Sequence, residues 1–191
     1  MVEFILAILS SMLINNVLLM QFLGICPFLG VSKKLNNAVG MSLAVIFVMM
    51  MASAITYPLY FYILKPLEIE YLDTICFIVV IATLVQIVEL VLKKFLKGLY
   101  KSLGIYLPLI TTNCAILGVA QSNISSASNF FNAMTISLGT GLGFMLVMVL
   151  FSAIREKLES NDIPESFKGV PIALITAGIL ALAFMGLTGL I

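Results

Sequence analysis

The chain has 191 residues, 62% of them apolar and only 10% charged, with a net charge of +1 and neither histidine nor tryptophan. Its mean hydropathy of +1.19 and a charge content far below the roughly 25% of soluble domains indicate an integral membrane protein. They exclude a nucleic-acid binder with a basic face, a histidine general base, and haem, zinc or copper sites built on imidazole.

About 20 apolar residues in a helix cross a hydrocarbon core of roughly 30 Å, because lipid offers backbone amides and carbonyls no partners. Six stretches qualify. The first, Phe4 to Leu23, opens with an acid where a signal peptide has basic residues and lacks a small-residue cleavage site, so it reads as a retained helix. CPFLGV (26–31) and the short loop SKKLNN separate it from the second, Ala38 to Leu64. The third is Leu72 to Leu92. The fourth, Leu103 to Val119, contains TTN and then CAILGV (114–119). The polar insert QSNISSASNFFN leads to the fifth, Phe130 to Ile154. The mixed-charge run REKLESNDIPESFK, which reads as a solvated loop, precedes the sixth, Val170 to Ile191. Connections are short, so the chain reads as a single transmembrane domain over 1–191.

Basic residues near helix ends stay cytoplasmic. Lys33, Lys34, Lys93, Lys94, Lys97, Lys101, Arg155, Lys157 and Lys168 fall on the first, third and fifth loops, against Lys65 alone on the other side. Both termini are therefore expected outside the cytoplasm, in a multi-pass membrane protein.

Two segments recur in order. C-x-x-L-G-V appears at Cys26 and again at Cys114, and V-M-x-x-x-S-A-I appears at 48–55 and again at 147–154. Ordered matches indicate a duplication, with repeat 1 at about 1–95 and repeat 2 at about 96–191. Three spans per copy is an odd number, so the second copy enters the membrane upside down. The expected fold is all-α, six transmembrane helices in a 3+3 inverted repeat. Such folds place broken helices and binding sites near the midplane. Gly24, Pro27 and Gly30 around the first cysteine, and Pro108, TTN and Gly118 around the second, make continuous helix doubtful at both. Counted at 1.5 Å per residue, each cysteine lies roughly 10 to 12 Å from its own face of the bilayer, so the pair converges from opposite sides.

A lone cysteine in a spanning helix is usually an apolar filler, and Cys76, without a partner in the repeat, takes that reading. For Cys26 and Cys114 a disulfide and metal ligation are both open. Thiolates without imidazole suit iron–sulfur chemistry, whose simplest site is Cys₄. The chain holds three cysteines, and Cys76 lies too near the outer end of its helix to join, so a second membrane protein would complete the set. Backbone amides near Gly30 and Gly118 are candidates to hydrogen-bond the sulfurs. Intramembrane carboxylates are few. Glu89 has Lys93 four residues on, a structural pairing, while Asn15, Asn16, Thr111, Thr112 and Asn113 either line a path or bond across helices. Two rivals to an electron carrier remain, a secondary transporter and a scaffold for a membrane complex.

INNVLLMQFLGICPFLGVSKKL, LGIYLPLITTNCAILGVA and FKGVPIALITAGILALAFMGLTGL resemble the family that contains RnfA of the Rnf electron-transport complex and its counterpart in the sodium-pumping NADH:quinone oxidoreductase. The resemblance covers essentially the whole chain and is closer to the Rnf branch. It implies a six-helix inner-membrane subunit, not catalytic alone, that pairs with an inverted homologue, RnfE, to hold one [2Fe–2S] cluster through Cys26 and Cys114. It further implies electron transfer between ferredoxin and NAD⁺ coupled to Na⁺ or H⁺ translocation, with Rnf subunits B, C, D and G as the other partners.

Overall fold

The computed structural model describes residues 8–66, 70–95, 107–126, 129–159 and 164–186. All regular structure among them is helical. After a π-helical turn at Ser10–Ile14 come α1 (Ile25–Val31), α2 (Leu35–Leu59, extended by a π-helical turn at Tyr60–Leu64), α3 (Asp73–Phe95), α4 (Leu107–Thr111), α5 (Cys114–Ser126), α6 (Phe130–Glu159) and α7 (Val170–Met185). Leu35–Leu64, Asp73–Leu90 and Phe130–Glu159 are each long and apolar enough to cross a membrane, and Val170–Met185 is a shorter apolar helix.

The centre is the pair α2 and α6, the most extensive helix contact among the described residues. They run antiparallel. Ser137 Oγ of α6 donates to Ser53 Oγ of α2 at 2.7 Å near one end, and Gly141 lies against Ile46 further along. Beyond the other end of α2, Phe28 of α1 stacks on Phe151 with ring centroids 4.0 Å apart. Asn123 of α5 joins the serine pair through Nδ2, at 3.1 Å to Ser53 Oγ and 2.8 Å to Ser137 Oγ. Such interhelical bonds add only modestly to association, because the same groups also find partners when the helices are apart.

The run GTGLG on α6 explains how the first helix fits. Gly139 faces the backbone of Ile8, and a Cβ on Gly143 would come within 2.8 Å of Met12 O. Small residues four apart allow backbones to approach closely, while Gly141 between them serves the α2 side. By contrast α3 and α7 are peripheral. Exposed apolar residues such as Ile78 and Val79 on α3 and Ile179 and Leu182 on α7 suit lipid or another apolar partner.

Several sequence boundaries shift. Phe4 to Leu23 is not one helix among the described residues, because helical structure ends at Ile14 and residues 15–24 are irregular. The cause is Asn16, fully buried, which takes both sides of the local backbone: its Nδ2 donates to Met12 O at 3.0 Å and its Oδ1 accepts from Leu18 N–H at 3.1 Å. The charged run after Ile154 is not a solvated loop at its start, since α6 continues to Glu159 with Arg155 buried. Residues 96–106, inside the fourth stretch and the third loop, and 187–191, the end of the sixth, lie outside the described residues.

Candidate metal centre

Both cysteine segments begin at helix breaks. In the first, Val17, Leu18 and Leu19 of the irregular stretch are buried in protein, the condition on which unwound backbone is tolerated at membrane depth. Its amides find partners nearby, Met20 N–H on Asn16 O and Leu23 N–H on Val17 O. Gly24 then caps α1 in the left-handed conformation, φ 85°, which glycine adopts without steric cost. Cys26 follows in the first turn of α1, with Pro27 beside it. Proline is compatible with a first turn, where its missing N–H costs nothing, so Pro27 sits within the opening turn of α1 without breaking it, and the break lies upstream.

In the second segment α4 ends at Thr111 and α5 begins at Cys114. Asn113, buried, makes the cap: its Oδ1 accepts from Ala115 N–H at 3.1 Å, the Asx geometry that favours asparagine at helix starts. Asn16 and Asn113 thus bind their own backbone at the two breaks, in place of the cross-helix roles open to them from sequence. Asn15 is exposed.

The two breaks meet. The Gly24 N–H donates to Cys114 Sγ at 2.9 Å, so the sulfur of the second cysteine sits at the turn that launches the first. A side chain on Gly24 would meet Phe144 at 3.0 Å, Ala115 at 3.2 Å and Asn113 Oδ1 at 3.3 Å. The turn is therefore packed on the start of α5 and on α6. Cys26 is exposed, Cys114 half-buried, and both are free thiols. Cys76 is half-buried on α3. Among the described residues no group of three or more His, Cys, Asp or Glu could hold a metal.

The glycines named from sequence divide. Gly118 lies in α5 against the side chain of Leu23, the last residue before the Gly24 turn, whereas Gly30 in α1 is exposed, with open space where its Cβ would be. The amide seen on a cysteine sulfur belongs to Gly24. Glu89 is half-buried and Lys93 exposed on α3. The residue that sequence reasoning missed is Arg155, whose Nη1 donates to Leu29 O at 2.8 Å and Ser32 Oγ at 2.9 Å. It fastens the end of α1, through Leu29 three residues after Cys26, to α6.

The repeated segments also share a burial register. Pro27, Phe28 and Val31 are buried after Cys26, and Ala115, Ile116 and Val119 after Cys114. Val48, Met49 and Ser53 are buried on α2, and Val147, Met148 and Ser152 on α6. A separate cavity of about 300 Å³ lies beside α5, lined by uncharged polar groups that include Ser11, Asn15, Gln21, Ser122 and Thr140.

These features define an α-helical membrane protein in which two cysteine-bearing helix breaks are held against each other. Residues 4–191 match the family described as Rnf-Nqr subunit, membrane protein, and the chain belongs to that family. It is similar to the A component of the Na(+)-translocating ferredoxin:NAD(+) oxidoreductase complex of Acetobacterium woodii, 55% identical over 95% of this chain and 94% of the relative. It is similar as well to the A components of the ion-translocating oxidoreductase complexes of Aeromonas salmonicida, at 54% identity, and of Glaesserella parasuis, at 53%, each over 100% of this chain and 99% of the relative.

Proposed function

We propose that this chain is a membrane subunit of an ion-translocating ferredoxin:NAD⁺ oxidoreductase, in which Cys26 and Cys114 supply half of the ligands of a [2Fe–2S] cluster shared with RnfE, a homologous subunit of opposite orientation. The observation that carries the reading is the Gly24 N–H on Cys114 Sγ. An amide directed at a cysteine sulfur stabilises the thiolate form that ligates iron. The donor set fits half a cluster: Cys114 Sγ lies on the turn that starts the helix of Cys26, and no group of three or more ligands forms among the described residues.

When bound, the cluster supplies one-electron transfer inside the membrane. The chain's own residues provide the rest. Asn16 and Asn113 hold the two breaks open, Gly24 donates to sulfur, and buried Ile110, Ala115, Ile116 and Phe144 keep water from the Cys114 side. Exposure of Cys26 leaves that thiol free to meet ligands from a partner.

The antiparallel course of α2 and α6, together with the shared burial register of the two repeats, supports the six-span inverted-repeat fold, and the basic residues gathered on the odd loops support their cytoplasmic placement. It also supports a homologous partner that could pair by pseudo-symmetry. The names of the relatives favour the ferredoxin:NAD⁺ branch over the quinone reductase, and the family resemblance suggests Rnf subunits B, C, D and G as the further partners. The polar cavity beside α5 favours a second reading, a secondary transporter for a small solute. The chain purified alone and purified after co-production with its homologous partner separates them. Iron and visible absorption in the paired sample only support the shared cluster, whereas a stable cluster in the isolated chain, or solute binding by that chain with no iron in either sample, contradicts it.

A further inference from the structure

A second cavity, of about 420 Å³, lies at the end of the protein where α1 ends and α7 begins. Lys33, Arg155 and Lys168 line it, with Glu159 as the one carboxylate among its lining residues. Among the described residues, three cations against one anion leave an excess of positive charge around a single space. The lysines are exposed, and no hydrogen bond or ion pair engages either among the described residues. Arg155 is buried and directs Nη1 to Leu29 O and Ser32 Oγ, so its charge is fixed in place by the fold. The first turn of α7 opens on the same space. Gly169 precedes it at φ 95° without a side-chain cap, and the Val170 and Ile172 amides, which have no intrahelical acceptor, add donors of the right sign for an anion.

The rest of the lining is apolar, including Leu29, Leu158 and Ile172. Ile172 continues into a stripe down α7 at helical spacing, Ile175, Ile179 and Leu182, all exposed. A free inorganic anion would use the charged end and leave the stripe bare. An amphiphile uses both, since basic pockets between helices at a membrane face take anionic headgroups while the chains run along apolar helix surface.

We propose that this cavity seats the phosphodiester of an anionic phospholipid, held by Lys33, Lys168 and the start of α7, with an acyl chain along Ile175, Ile179 and Leu182. The proposal rests on the membrane location of the family and not on the cluster.

The test is native mass spectrometry of the full chain in detergent titrated with phosphatidylglycerol or phosphatidylcholine. Phosphatidylglycerol should bind preferentially, and Lys33→Gln/Lys168→Gln should weaken it by roughly tenfold or more. The conservative pair Lys33→Arg/Lys168→Arg should keep it, as should Lys65→Gln, which lies away from this cavity. Both lysines are exposed, so folding is not at stake, and an unchanged melting temperature without added lipid checks this. Equal retention of the two lipids, or full binding by the double glutamine variant, overturns the proposal. Displacement of phosphatidylglycerol by millimolar inorganic phosphate also overturns it, because the cavity then takes a free anion without using the stripe.

Discussion

The backbone amide of Gly24 donates to the sulfur of Cys114 at 2.9 Å, across 90 residues of sequence. Because Gly24 stands two residues before Cys26, this one contact joins the two halves of the duplicated motif. It sets the position of one cysteine by the turn that starts the helix of the other.

Replacing Gly24 with alanine should disturb that contact twice over. The left-handed φ of 85° costs a side-chain-bearing residue about 1–2 kcal/mol, and the new Cβ would press on Phe144 and Ala115. Fewer hydrogen bonds to sulfur lower a cluster's potential. Redox titration of the assembled complex followed by EPR should therefore show a lower midpoint in Gly24→Ala. An unchanged midpoint with an unchanged spectrum would remove the amide from the site.

Arg155→Gln should destabilise the chain by about 1–3 kcal/mol, the range for leaving a buried acceptor unsatisfied, because Leu29 O loses its guanidinium donor. Ser32→Ala should cost less, about 1 kcal/mol, since Arg155 keeps the Leu29 contact. Thermal unfolding in detergent checks both. If Arg155 were a solvated loop charge, its replacement would stay within about 0.5 kcal/mol.

That last contrast shows how far the sequence reaches. The membrane class and the recurrence of C-x-x-L-G-V at Cys26 and Cys114 can be read from spelling alone, because repeats and hydropathy are written locally. The burial of Arg155 cannot. It opens a run of charges, and only the approach of Leu29 and Ser32, more than 120 residues away, turns it inward. Gly24 is visible beside Cys26 as a residue that permits a break, yet its amide acquires a partner only when Cys114 arrives. Likewise proline looks like a helix breaker at Pro27, whereas the break is made upstream by Asn16 bonding its neighbours.

The glycines of α6 and α7 should respond in opposite ways. Gly143→Ala places a methyl 2.8 Å from Met12 O, an overpacking worth about 1–3 kcal/mol, and should lower the melting temperature. Gly178→Ala meets nothing within 4 Å, and as a helix-interior change should raise stability by up to about 1 kcal/mol. Melting curves of the two variants that move together would contradict the close approach of the first helix to α6.

Gly118 and Gly30 occupy the same place in the repeated motif but not in space. Gly118→Leu would drive a side chain into Leu23, next to the Gly24 turn, and should shift or abolish the EPR signal. Gly30→Ala enters open space and should leave it intact.

The two repeat cysteines are expected to hold iron together with a partner subunit. The most direct measurement is low-temperature EPR with iron determination on the assembled complex carrying Cys26→Ser, Cys114→Ser or Cys76→Ser. Either of the first two should remove the intramembrane [2Fe–2S] signal and its two irons while the subunits still assemble, and Cys76→Ser should change neither. A full signal and full iron content in both Cys26→Ser and Cys114→Ser would contradict the account.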